Sequence, residues 1–308
     1  MFRPPFRVNR LAGNGGYASH STYAAPAPGV PDDLAPLAAG EDVALEPPVV
    51  TLQIAGFHAG ADLRARMAAA EAAVIRLAAA GRLRGEAAGG IAEQQRRAFI
   101  YDSAHLQGNP MSRAEVEAVL DGAQPDGVRP ADVQEVINLQ LGLNYIEMLA
   151  AAEMPLTERL TRILHAVVMR DLVPPSHEAG SYRIDDMADL SYPAPPGVEV
   201  VSEMGAFGRW LTLKPESAEY EPSPILRTAY AHTRLLTIHP FHNGNGRVAR
   251  LLMNLVLLRA GFPLAAIDGD ARPAYLAALD AAGTGGDLTP TLILLLDAVE
   301  ASLAAYES

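Results

Sequence analysis

Residues 238–250, Ile-His-Pro-Phe-His-Asn-Gly-Asn-Gly-Arg-Val-Ala-Arg, constrain this chain more than any other stretch. They join two segments of helical periodicity, 232–238 and 251–262, through a short loop in which two glycines bracket an asparagine. The second segment is strongly apolar, so Arg247 and Arg250 at its start are not a solvated helix face. Backbone N–H groups at Gly244, Asn245 and Gly246 are expected as unpaired donors at that helix N-terminus, where the dipole favours negative charge. Arg247 and Arg250 are three apart and share one side of the first turn, where they can grip phosphate oxygens. His239, at the start of the loop, can take a proton near neutral pH. A base, an anion nest and two arginines are the parts that phosphoryl-type transfer needs, because that chemistry is mostly positioning and charge stabilisation.

The rest of the chain reads as helical. Leu63, Met67, Val74 and Leu77 recur at helical spacing, and a helix over 92–106 stops at Gly108-Asn109-Pro110. Ser112 with Glu115 forms a capping box, Pro130 opens a helix with Val136, Ile137, Leu139, Leu143 and Ile146 as its buried stripe, and Thr157 caps another. Further helices are expected over 204–211, 224–237, 246–260, 273–281 and 290–305. The Pro-rich stretch 180–196 breaks the pattern and suggests a short hairpin around 182–190, its tip made acidic by Asp185, Asp186 and Asp189. The expected architecture is all-α with one non-helical flap. Residues 1–50 read as a flexible Pro/Ala-rich segment, with 49–54 a short strand or an extended arm.

The net charge of −12 argues against a general nucleic-acid binder. The absence of cysteine excludes thiolate chemistry and a disulfide framework. No uninterrupted apolar run approaches the length of a membrane span, and residues 1–16 lack the apolar stretch of a secretory signal. The chain therefore reads as cytoplasmic, of bacterial type, with no membrane or nucleic-acid partner; a homodimer is one option for its assembly.

The loop resembles the signature of the Fic family, His-x-Phe-x-(Asp or Glu)-Gly-Asn-Gly-Arg-x-x-Arg, at His239, Phe241, Gly244, Asn245, Gly246, Arg247 and Arg250, with Pro240 after the histidine. Arg272, Tyr275 and residues 286–290 look like the family's C-terminal part, and the resemblance runs over about 57–305. It implies a Fic-type helical bundle with a β-hairpin flap beside the active loop, an N-terminal helical subdomain (51–155) and a Fic core (156–308). It also implies a protein adenylyltransferase that moves AMP from ATP to a Ser, Thr or Tyr hydroxyl of an unidentified target protein, or of itself. His239 would be the base and Phe241 an apolar anchor. Gly244, Asn245 and Gly246 would bind the α- and β-phosphates, with Asn245 also hydrogen-bonding phosphate; Arg247 would hold the β-phosphate region and Arg250 the γ-phosphate. Tyr182, Arg183 and Ile184 would lie on the target-docking flap.

Two positions depart from the family pattern. Asn243 stands where the family places the acidic ligand of Mg²⁺ (or Mn²⁺), and an amide oxygen binds a hard cation without the charge. Gln107 stands where an inhibitory (Ser or Thr)-x-x-x-Glu-(Gly or Asn) motif, here Ser103 to Gly108, places a glutamate that pairs with the second arginine. Auto-inhibition is expected to be weaker for it. A Fic-like nucleotide-binding or interaction protein with impaired catalysis, or one that transfers a different phosphate-linked group, is the alternative reading. His239 and His242 as a metal pair lack an evident third ligand.

Overall fold

The computed structural model describes residues 59–152, 155–173, 178–188, 190–213, 217 and 223–308. The N-terminal segment 1–50, the expected strand at 49–54 and Asp189 lie outside the described residues. Ten α-helices are present among those described: α1 Ala61–Ala79, α2 Glu86–Leu106, α3 Arg113–Leu120, α4 Pro130–Ala151, α5 Glu158–Val168, α6 Val200–Leu211, α7 Pro224–Ile238, α8 Asn245–Arg259, α9 Arg272–Gly285 and α10 Thr289–Glu307.

Helix α8 is the axis of the bundle. Val248, Leu251, Leu252, Leu255 and Leu257 have no exposed surface, and α7, α4 and α5 pack round it. Gly142 on α4 makes one of these contacts close, since a Cβ there would meet Leu251 Cδ1 at 2.6 Å. Local rules set most helix ends. Ser112 and Glu115 form the complete capping box at α3, and Gly108 follows α2 with a φ of +89°. Thr157 sits at the N-cap of α5, but its side chain makes no cap bond, unlike the expectation. Ile137, expected in the buried stripe of α4, is 36% exposed, because α4 turns that face away from α8.

Helix α10 is long and apolar enough to cross a membrane by length and composition. It packs instead on α1, α7 and α9, burying Leu292, Leu295, Leu296 and Val299, while Asp297 and Glu300 pair with Arg66 of α1. The helix expected over 290–305 is thus present, two residues longer at its C-terminal end and one at its N-terminal end.

No strand is present among the described residues, so the expected β-hairpin at 182–190 is not formed. One cause is visible. The buried Arg183 side chain takes the carbonyls of Asp185 and Pro195, at 2.7 Å each.

Candidate active site

Helix α7 ends in a left-handed residue, His239, at φ 50° and ψ 59°. Its N–H still bonds the Leu235 carbonyl at 3.0 Å, so the turn closes before the chain leaves the helix. Histidine tolerates this region better than bulky residues do. A second left-handed residue, Gly244 at φ 78°, opens α8. A Cβ there would lie 2.7 Å from Met169 Sδ, so only glycine fits.

The loop between them is braced from within. Asn245 Oδ1 accepts from Phe241 N–H at 3.0 Å and its Nδ2 donates to Phe241 O at 2.7 Å. Asn245 thus braces the loop with one of its two amide N–H groups and one lone pair of its oxygen. Phe241 is fully buried and lies flat on the His165 ring, with centroids 3.8 Å apart and planes 4° from parallel. His165 accepts from Gly180 N–H at Nδ1 (2.7 Å), so Nε2 carries the proton and donates to the Asn243 carbonyl at 3.1 Å. Burial pushes its pKa down to about 4, which keeps the ring neutral.

The anion nest is displaced by one residue from expectation. Gly244 N–H is already taken by Asn243 Oδ1 at 2.7 Å. Gly244 provides no side-chain cap, so the first-turn N–H groups of Asn245, Gly246 and Arg247 are the ones without intrahelical partners. They form the positive end of α8.

His239 is half-buried. Burial, then the nearby Arg183 guanidinium, pushes its pKa down to about 4. Its Nδ1 lies 3.3 Å from Tyr192 Oη, and that hydroxyl donates to Leu236 O at 2.8 Å. The hydroxyl's proton is therefore committed to the carbonyl, so Nδ1 is the donor and Nε2 the free base. Arg183 fixes the peptide around the histidine. Its Nε donates to His239 O (2.7 Å), Nη2 to Ile238 O (3.2 Å), and its own N–H to Pro240 O (2.9 Å). Of the three expected flap residues, Arg183 is 1% exposed and serves this clamp; Tyr182 is partly buried and donates to Glu158. Only Ile184 faces solvent, at 78%.

Arg247 and Arg250 of α8 are buried and held by other helices. Arg250 donates from Nε to Ser103 Oγ and from Nη2 to Ser103 O, each at 2.8 Å, and from Nη1 to Tyr275 Oη at 3.4 Å. With its amide oxygen toward the arginine, the orientation that satisfies both groups, Gln107 accepts from Nη2 at 3.0 Å and Nη1 at 3.3 Å. The end of α2 thus lies over the N-terminal end of α8. A Cβ at Gly246 would meet the Gln107 amide group at 2.4 Å. Arg247 pairs with Glu135 of α4, Nη1 to Oε1 at 3.1 Å. His165, Tyr192 and Glu135 were not among the expected site residues. No local motif marks them, because each reaches the loop from a distant helix or flap.

The chain's own donors do not fit a resident Mg²⁺. Asn243 supplies one neutral oxygen, already accepting from Gly244, and no group of three or more His, Cys, Asp or Glu able to hold a metal occurs among the described residues. His242 is largely exposed and lies 4.0 Å from Asp185. A cavity of about 270 Å³, lined by His165, Met169, Val173, Glu178, His242 and Asn243, opens on this side of the loop.

A left-handed histidine at the end of α7 and a glycine-capped helix start with two buried arginines on α8 define the site of this all-α domain. Residues 155–257 match the profile of the Fic/DOC family. Over 208 residues it is 31% identical to the protein adenylyltransferase Fic of Drosophila persimilis and to that of Drosophila melanogaster, covering 67% of this chain and 40% and 41% of theirs. The chain spans about two-fifths of the length of these relatives. Among solved structures, Fic-1 of C. elegans matches with a TM-score of 0.71 and 27% identity, over 80% of this chain and 72% of that one. A Fic-domain signalling protein from Bacteroides thetaiotaomicron shares the fold, with a TM-score of 0.66 and 24% identity over 80% and 94%.

Proposed function

We propose that this protein transfers AMP from ATP to a Ser, Thr or Tyr hydroxyl of a protein, itself included. The carrying observation is His239: its Nδ1 faces Tyr192 and Leu236 and its Nε2 is left as a neutral acceptor beside the nest of Asn245, Gly246 and Arg247. In this reading Nε2 takes the proton of the acceptor hydroxyl. The oxygen forms a bond to the α-phosphorus, and the bond from that phosphorus to the bridging oxygen breaks. Pyrophosphate leaves with the electron pair, its charge met by Arg247 and Arg250. The first-turn N–H groups hold the charge that develops on the α-phosphate oxygens. The name of the insect relatives supports the donor and the acceptor class.

Asn243 assigns no metal step to the chain; a cation would be held mainly by phosphate oxygens and water. The division at 155/156, the cytoplasmic setting and the bacterial type remain parts of this reading. A net charge of −12 supports a protein, not a nucleic acid, as the second partner.

A second reading, a nucleotide-binding protein without transferase activity, is favoured by the neutral Asn243. Incubation with ATP labelled at the α-phosphate, beside His239→Ala, separates the two. Label on protein that His239→Ala abolishes supports transfer. Nucleotide binding with no label in either protein supports the second reading.

A further inference from the structure

Among the described residues, Glu135 is the one carboxylate paired with Arg247 or Arg250. It sits near the start of α4, 12% exposed at its side chain, opposite Arg247 at 6%. Its second oxygen, Oε2, accepts from Asn109 Nδ2 at 3.0 Å, so both ends of the carboxylate are fixed. Asn109 is itself buried; its Nδ2 also donates to Asp132 O at 3.1 Å and its Oδ1 accepts from Met111 N–H at 3.1 Å. This polar chain begins two residues after Gln107, at the end of the helix that holds Arg250. Each loop arginine is therefore held from the same corner of the fold: Arg250 by Ser103 and Gln107, Arg247 by Asn109 through Glu135.

The pairing is incomplete in an informative way. Glu135 takes Nη1 of Arg247, yet Arg247 Nε is buried with no acceptor. A buried N–H without a partner is rare in a folded protein and marks a place where an acceptor is due. Arg247 is also in the first turn of α8, where the backbone already presents unpaired donors.

We infer that Glu135 is a positioning residue for nucleotide: it anchors one edge of the Arg247 guanidinium so that Nε is left for an oxygen of the phosphate next to the leaving bond. This rests on the proposed function and adds a residue to it. A guanidinium anchored at one edge loses little freedom when phosphate binds, which raises affinity without any contact between Glu135 and ligand. A carboxylate that merely filled space would not distinguish nucleotides by phosphate count.

The test uses the full chain with Glu135→Gln and Glu135→Ala, and isothermal titration with AMP, ADP and ATP. Glu135→Gln preserves shape and one acceptor, so it keeps the measurement available if Glu135→Ala fails to fold. Expected are a loss of ADP and ATP affinity of about tenfold for Glu135→Ala and a smaller loss for Glu135→Gln, with AMP affinity unchanged. In transfer assays, KM for ATP rises while kcat changes less. Equal losses for AMP and ADP would overturn the inference and leave Glu135 a packing residue. Tighter ADP binding in either variant would also overturn it, since Glu135 would then compete with phosphate. If the wild-type chain binds none of the three, the proposed function fails and the inference with it. Wild-type binding with no change in either variant sinks the inference alone.

Discussion

The hydroxyl of Tyr192 lies 3.3 Å from Nδ1 of His239 while donating to the carbonyl of Leu236, the last residue but two before that histidine. A flap residue thereby fixes the tautomer of a residue at the end of a helix. Room for the tyrosine exists only because residue 283 is glycine; a Cβ there would meet the Tyr192 ring at 2.4 Å.

Tyr192→Phe keeps the ring and removes the hydroxyl. Transfer is expected to fall about tenfold at saturating ATP, with KM little changed. Nitrogen-15 shifts of His239 would report a mixed tautomer population in the variant. An unchanged tautomer with reduced rate would rule out this role.

The pKa of His239 near 4 leaves it neutral at pH 7. The acid limb of the rate profile of the free enzyme should therefore fall near pH 4, well below the ordinary histidine value of 6.5. A limb centred at 6.5 in kcat/KM would contradict the buried environment described for the ring.

Stability should respond to the same burial. His165 and His239 have folded pKa values near 4 and His232 near 3, each below the reference 6.5. Between about pH 6.5 and 4 the unfolded chain binds more protons than the folded one, so stability declines as pH falls through that window. Urea titrations at pH 7 and pH 5 should give a lower unfolding free energy at pH 5. Equal values would mean that other groups offset these histidines.

Gln107→Glu would convert a neutral hydrogen bond to Arg250 into a charged one. The difference is about 1 kcal/mol, roughly fivefold, in favour of the occupied arginine. ATP affinity and transfer should both fall, and Gln107→Ala should raise them. If both variants leave the KM for ATP at the wild-type value, the end of α2 does not govern access to Arg250.

Gly244→Ala places a side chain at φ 78° against Met169. The backbone cost alone is about 1–3 kcal/mol. Thermal melts should register it together with loss of activity. A variant as stable as wild type would place Gly244 elsewhere in conformational space.

Periodicity marked α4, α7 and α8, the capping box at Ser112 placed α3, and the loop motif placed the base and both arginines. Each of those signals is local. The flap was misread because turn-rich sequence with aromatic and aliphatic residues suggests strands, whereas Arg183 draws the carbonyls to itself. Asn245 was assigned to phosphate on resemblance, which carried no sign that the same amide also braces the loop at Phe241. Tyr192 and Glu135 were invisible for a simpler reason: their partners are 47 residues away in the first case and a whole helix bundle away in the second.

Arg183 collects carbonyl groups from residues 185, 195, 238 and 239. Those residues come together only after a loop of more than fifty residues has closed, and one cation then satisfies them all at once. The active loop therefore cannot mature on α7 and α8 alone during refolding. A chain in which residues 183–195 had not docked would carry α7 and α8 without the clamp that fixes the peptide of His239.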